Sequence, residues 1–142
     1  TSLSAHDLMW EIHHLYAGRF GLYGNRGGNF TIQNSDLVIV LGCRMSLWEI
    51  GYDYIKFARE AKKVMIDIDR QELEKPTFIP DVKIHCDVKQ FLSSMVKKLE
   101  SHETHSFSLW LDKCKYWQKK YPVIIPEYSK EKKYVNYYYF MG

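Results

Sequence analysis

At 142 residues, with 46% hydrophobic and 26% charged content, the chain has the length of one domain and enough apolar material for a core, which excludes a disordered chain. Its apolar runs of about five residues fall far short of the roughly 20 that cross a bilayer, and the opening TSLSAHD lacks a basic head and an apolar body, so neither a membrane span nor an export signal is expected. A formal net charge of +3, with the later lysines interspersed among Glu100, Asp112, Glu127 and Glu131, points to a solvated face and not to a nucleic-acid partner.

In chain order, the first feature is YAGRFGLYGNRGG at 16–28. It is too rich in glycine for a helix or strand interior, and it reads as a loop whose backbone approaches something closely. A short helix is expected over 29–35. The run Leu37, Val38, Ile39, Val40, Leu41, closed by Gly42, reads as a strand buried on both faces, because a half-exposed strand would alternate.

A helix is expected over 52–61, where Tyr54, Ile55, Phe57, Ala58 and Ala61 follow the helical period. A second strand follows through Val64, Met65 and Ile66 into Asp67, and a third over 82–86. A helix over 88–100 carries Phe91, Leu92, Met95, Val96 and Leu99 on one face. Polar residues at 101–106 break the pattern before a helix over 107–120 with Phe107, Trp110, Leu111, Cys114 and Trp117 at helical spacing; an extended tail ends in NYYYFMG, whose aromatic residues have no visible partner. Strands alternating with helices imply an α/β fold with a parallel sheet and right-handed crossovers.

Cys43, Cys86 and Cys114 are far apart, without a CxxC pair, and suit a reducing, cytoplasmic setting. His13-His14 and His102-x-x-His105 lack companions at metal spacing, and no group stands out as a catalytic base. Chemistry concentrates where strands end. The glycine loop offers unobstructed N–H groups to a phosphate, or merely makes a tight turn. Arg44 suits a phosphate or carboxylate, or a structural clamp to Asp36 or Glu49. Asp67 stands where a doubly wound fold places an acid for ribose hydroxyls, and Asp87 stands one strand further on; Asp67 and Asp69 equally suit caps for a turn starting at Arg70. Asn29 and Asn34 read as loop ties.

The order GLYGNRGGNFTIQNSDLVIVLGCRMS, FAREAKKVMIDIDRQELEKP, IPDVKIHCDVKQFL resembles the central domain of thiamine-diphosphate-dependent enzymes of the acetolactate synthase type. In that family a G-x-x-G loop leads through N…N-x-D to a strand ending G-x-R, a second strand ends D-x-D, and a third precedes a D-x-x-x-x-L helix. Gly21, Gly24, Asn29, Asn34, Asp36, Gly42, Arg44, Asp67, Asp69 and Asp87 occupy those places. The segment from Trp110 to Phe140 resembles the linker into the diphosphate-binding domain, with Tyr137 where the family often has the proline of V-N-P.

The resemblance implies a Rossmann-like parallel sheet flanked by helices and truncated on its N-terminal side. It makes 1–100 a partial central domain and 101–142 a linker helix and extended segment. It also implies a fragment, catalytically silent alone, of a homo-oligomeric enzyme that decarboxylates a 2-oxo acid and transfers the product to an acceptor. Thiamine diphosphate and Mg2+ would be held by flanking domains, the fragment's partners together with sister subunits. FAD or ADP would lie in the central crevice, against Leu22, Tyr23, Gly24, Gly42, Cys43, Arg44, Asp67, Ile68, Asp87 and Val88. The chain departs from the family at Tyr23, where a histidine is usual, and at Trp48, where a second arginine is usual. The alternative is a stand-alone adenine-nucleotide-binding module, which would need its own first strand and glycine turn.

Overall fold

A computed structural model describes residues 1–102 and 105–141. Strands β1 (Leu37–Leu41), β2 (Lys62–Asp67) and β3 (Val82–His85) form a parallel sheet in the order β1-β2-β3. Leu41 pairs with Ile66 and Ile66 with Ile84, so all three strands finish at the same edge of the sheet. Helix α1 (Arg26–Gln33) precedes β1, α2 (Leu47–Ile50) and α3 (Arg70–Glu74) follow the first two strands, and α4 (Val88–Leu99) follows the third. The expected α/β, Rossmann-like arrangement is therefore present.

One sheet face carries the core. Val38, Val40 and Met65 project to it and meet Met45, Ile50, Phe57, Ala58, Ala61, Leu73 and Phe78. On β1, however, burial alternates: Leu37, Ile39 and Leu41 are 49%, 41% and 39% exposed, which corrects the expectation of a strand buried on both faces. The physical reason lies in the cover. Ile66 at the sheet's centre is fully buried, while α4 packs against β2 without burying any residue of its own completely. Leu92, Val96 and Leu99 of α4 stay exposed, so this apolar face continues beyond what the described residues cover.

The expected helix over 52–61 is not formed. Ala58 has φ 41 and Phe57 is extended, so a right-handed helix cannot continue through them. The Ala58 N–H donates to Gln33 Oε1 at 2.9 Å instead of to a carbonyl one turn back. Only a 3-10 turn, Tyr54–Lys56, remains. Helix α1 starts earlier than expected because the Asn25 side chain accepts the Gly28 N–H at 2.7 Å and caps it.

Helix α5 (Ser108–Lys120) forms as the periodicity predicts, with Cys114 buried, and lies against α1. Phe30 of α1 meets Trp117 and Tyr121, and a Cβ at Gly27 would stand 3.1 Å from the Gln118 backbone, so glycine sets the closeness of this crossing. The tail closes with α6 (Tyr137–Met141), started by Asn136, whose Oδ1 accepts the Tyr138 N–H at 3.0 Å; the aromatic ending had suggested no helix. Within the polar break at 101–106, Glu103 and Thr104 lie outside the described residues, as does Gly142.

The two faces of the sheet give a direct test. Met65→Ala, on the covered face, is expected to cost about 2–5 kcal/mol in denaturant unfolding. Ile39→Ala, on the bare face, is expected to cost less than about 1 kcal/mol, since much of its surface is already in water.

Candidate functional site

The glycine loop is held by side chains that the sequence places a few residues away. Gly21 sits at φ +103, and its N–H donates to Asn29 Oδ1 at 2.9 Å while its carbonyl accepts from Asn29 Nδ2 at 3.1 Å. One amide thus satisfies both polar groups of a left-handed turn and ties it to α1. The next residue, Leu22, donates its N–H to the Trp48 carbonyl at 2.7 Å, joining the loop to the turn after β1. The same junction pairs the Tyr23 and Trp48 rings, 5.3 Å apart and 30° from parallel. The two residues at which the chain leaves the family pattern therefore touch.

At the strand ends, Gly42 has φ 54 and leads into half-buried Cys43 and exposed Arg44. The Arg44 Nε lies 3.7 Å from Glu72 Oε1, so its partner is neither Asp36 nor Glu49. Glu49 is instead committed to a capping box: its Oε2 accepts from the Ser46 N–H and hydroxyl, at the start of α2. Asp67 is buried and accepts the Asp69 N–H at 2.9 Å, and Asp69 caps α3 through the Gln71 N–H. Asp87 caps α4 through one oxygen, Oδ1, which accepts from Lys89 and Gln90. Ile68 is exposed beside Asp67, and Val88 approaches Gly42, where a Cβ would stand 3.2 Å from it.

The candidate residues fall into separate surroundings. Leu22, Tyr23 and Gly24 line a cavity of about 670 Å³ together with Arg19 and residues of the C-terminal tail. Gly42, Cys43 and Arg44 line another of about 540 Å³ with Trp48 and the N-terminal segment. Asp67, Ile68, Asp87 and Val88 border neither, although the register brings Asp67 and Asp87 to the same sheet edge as Gly42. Arg19 and Tyr138 were not expected in a site. The tail's return to the loop brings both to one cavity, and no local sequence signal announces it.

Burial pushes the Cys43 thiol above its ordinary range, and the negative charge of Glu49 adds to this. Among the described residues, no three His, Cys, Asp or Glu side chains gather to hold a metal ion. The His13 and His14 rings lie against each other, and His102 contacts the Lys98 carbonyl. No helix among the described residues is long and apolar enough to cross a membrane.

Comparison with known proteins shows similarity over most of the chain. The family described as "Thiamine pyrophosphate enzyme, central domain" matches residues 1–95. The acetolactate synthase large subunit of Cyanidium caldarium is 33% identical over 134 residues, covering 92% of this chain and 23% of that protein. The large subunit of acetolactate synthase isozyme 1 of Escherichia coli is 32% identical over 126 residues, 89% of this chain and 22% of that protein. A probable acetolactate synthase large subunit of Methanocaldococcus jannaschii is 33% identical over 113 residues, 80% and 19% respectively. The chain spans about a fifth of the length of the curated relatives it matches.

Two measurements follow from the geometry. Asn29→Ala removes both bonds to Gly21, and equilibrium unfolding should show a loss of about 1–3 kcal/mol. Because the folded Cys43 thiol holds its proton more tightly than the unfolded one, its contribution is fully present below the ordinary thiol value of about 8.5 and is lost as pH rises toward the raised folded value. Cys43→Ala should make the fall in melting temperature above about pH 8.5 shallower.

Proposed function

The chain belongs to the family of thiamine pyrophosphate enzyme central domains, and from that premise we propose that it is part of the central domain of a larger enzyme of the acetolactate synthase type. In this reading, 1–100 is the domain part and 101–142 the connection toward a diphosphate-binding domain. The complete protein decarboxylates a 2-oxo acid such as pyruvate and transfers the fragment to an acceptor, in a cytoplasmic homo-oligomer. Thiamine diphosphate with Mg2+, held by flanking domains, supplies the electron sink when bound. The chain by itself holds parts together and is catalytically silent. The observation that carries this is the parallel register, which sets the G-x-R, D-x-D and D-x-x-x-x-L ends side by side at one sheet edge. The bare row Leu37, Ile39 and Leu41 then meets further parts of the enzyme.

The strand ends also fit an adenine nucleotide. Asp87 spends only Oδ1 on its cap and is exposed, leaving Oδ2 for a ribose hydroxyl, with Asp67 on the neighbouring strand. The Arg44 side chain is 80% exposed and held only by a long contact to Glu72, so it is available to phosphate. Gly42, Cys43, Ile68 and Val88 would form the close walls, with Leu22, Tyr23 and Gly24 at the loop beside them. ADP asks for no more than these groups. In FAD the flavin half would have to pass the Tyr23–Trp48 pair, where the family has histidine and arginine.

A thermal-shift titration tests the reading. ADP should raise the midpoint of the chain, and Arg44→Ala should weaken that effect at least tenfold in ligand concentration. Thiamine diphosphate with Mg2+ should leave the midpoint unmoved and yield no turnover of pyruvate. Stabilisation or turnover by thiamine diphosphate would overturn the assignment of its site to other domains.

A further inference from the structure

We infer that the cavity between the glycine loop and the C-terminal tail is a binding site for a small planar ring bearing a single anionic group. The cavity contains none of the strand-end residues Gly42, Arg44, Asp67 or Asp87, and shares only Leu22, Tyr23 and Gly24 with the nucleotide reading. The cavity, of about 670 Å³, has the size of small-ligand pockets. Its wall carries one cation, Arg19, one carboxylate, Glu11, and the rings of Tyr23, Tyr137 and Tyr138. Arg19 stands in the wall with its Nε buried and without a hydrogen-bond partner. Its nearest anionic group, Glu11 Oε1, is 3.8 Å from a terminal guanidinium nitrogen, and the Glu11 side chain is 73% exposed.

An ion pair so long and so wet contributes little and is readily exchanged for a ligand anion that reaches the guanidinium fork. Tyr23 and Tyr138 also line the cavity, each more than half exposed, as do Val123 and Ile124. Tyr23 is backed by Trp48, and Tyr138 lies against both Tyr128 and Tyr137. Rings held by aromatic neighbours and still more than half exposed give a flat ring more to pack against than an aliphatic one of equal size. A single arginine beside a carboxylate favours one negative charge over several.

Binding of benzoate and of cyclohexanecarboxylate to the chain, followed by saturation-transfer NMR and titration, tests this. Benzoate should bind at least ~10-fold more tightly than the cyclohexane analogue. Arg19→Gln and Tyr138→Ala should each weaken benzoate by a similar factor while circular dichroism stays unchanged. Should Arg19→Gln fail to fold, Tyr138→Ala, at an exposed position, decides alone. Equal affinity for the two acids, indifference to both variants, or no binding of either acid would each overturn the proposal.

Discussion

Strand β2 is paired in parallel on both sides, and that double ladder constrains everything else in the molecule. A parallel neighbour requires the chain to return to the starting edge after every strand, so all exits lie on one side and all crossovers cover the sheet. Met65 and Ile66, on opposite faces of β2, are both fully buried. The groups following each strand are thereby collected along one line without any bond between them having to hold them there.

At that line the polar residues satisfy the backbone that follows each strand. Each strand exit is followed by a helix or tight turn whose first N–H groups need acceptors, and Ser46, Asp69 and Asp87 supply them. The carboxylates are therefore oriented before any ligand arrives, with little side-chain freedom left to lose. Glu49 shows how such a role displaces another: once it completes the capping box of α2, Arg44 turns to Glu72.

The strands, α4 and α5 were legible because each carries its signal within its own residues, whether an apolar run or a helical stripe. The Asp69 cap was legible for the same reason, as an acid just ahead of Arg70, whereas the sequence reads Asp87 for a ribose and the structure shows it capping α4. Segment 52–61 misled because its helical spacing is real while its backbone is decided elsewhere, by Gln33 holding Ala58 in a left-handed conformation. The local signal for α2 is Ser46-x-x-Glu49, the capping-box pattern. The exposure of alternate β1 residues depends on how far α4 reaches, and the cavity at Arg19 on residues over a hundred positions apart; neither has a local trace.

The contact of Gly27 with Gln118 has a mechanical meaning. Where two helices touch nearly backbone to backbone, neither has a soft layer of side chains in which to slip, and they behave as one stiff arm. A torque on the chain leaving α5 would pass into α1 and, through the amide of Asn29, into the turn at Gly21, which is hinged to Trp48. Strain in the chain beyond α5 is thus geared to the loop at Gly21, and the loop's position to the angle at which the chain leaves α5.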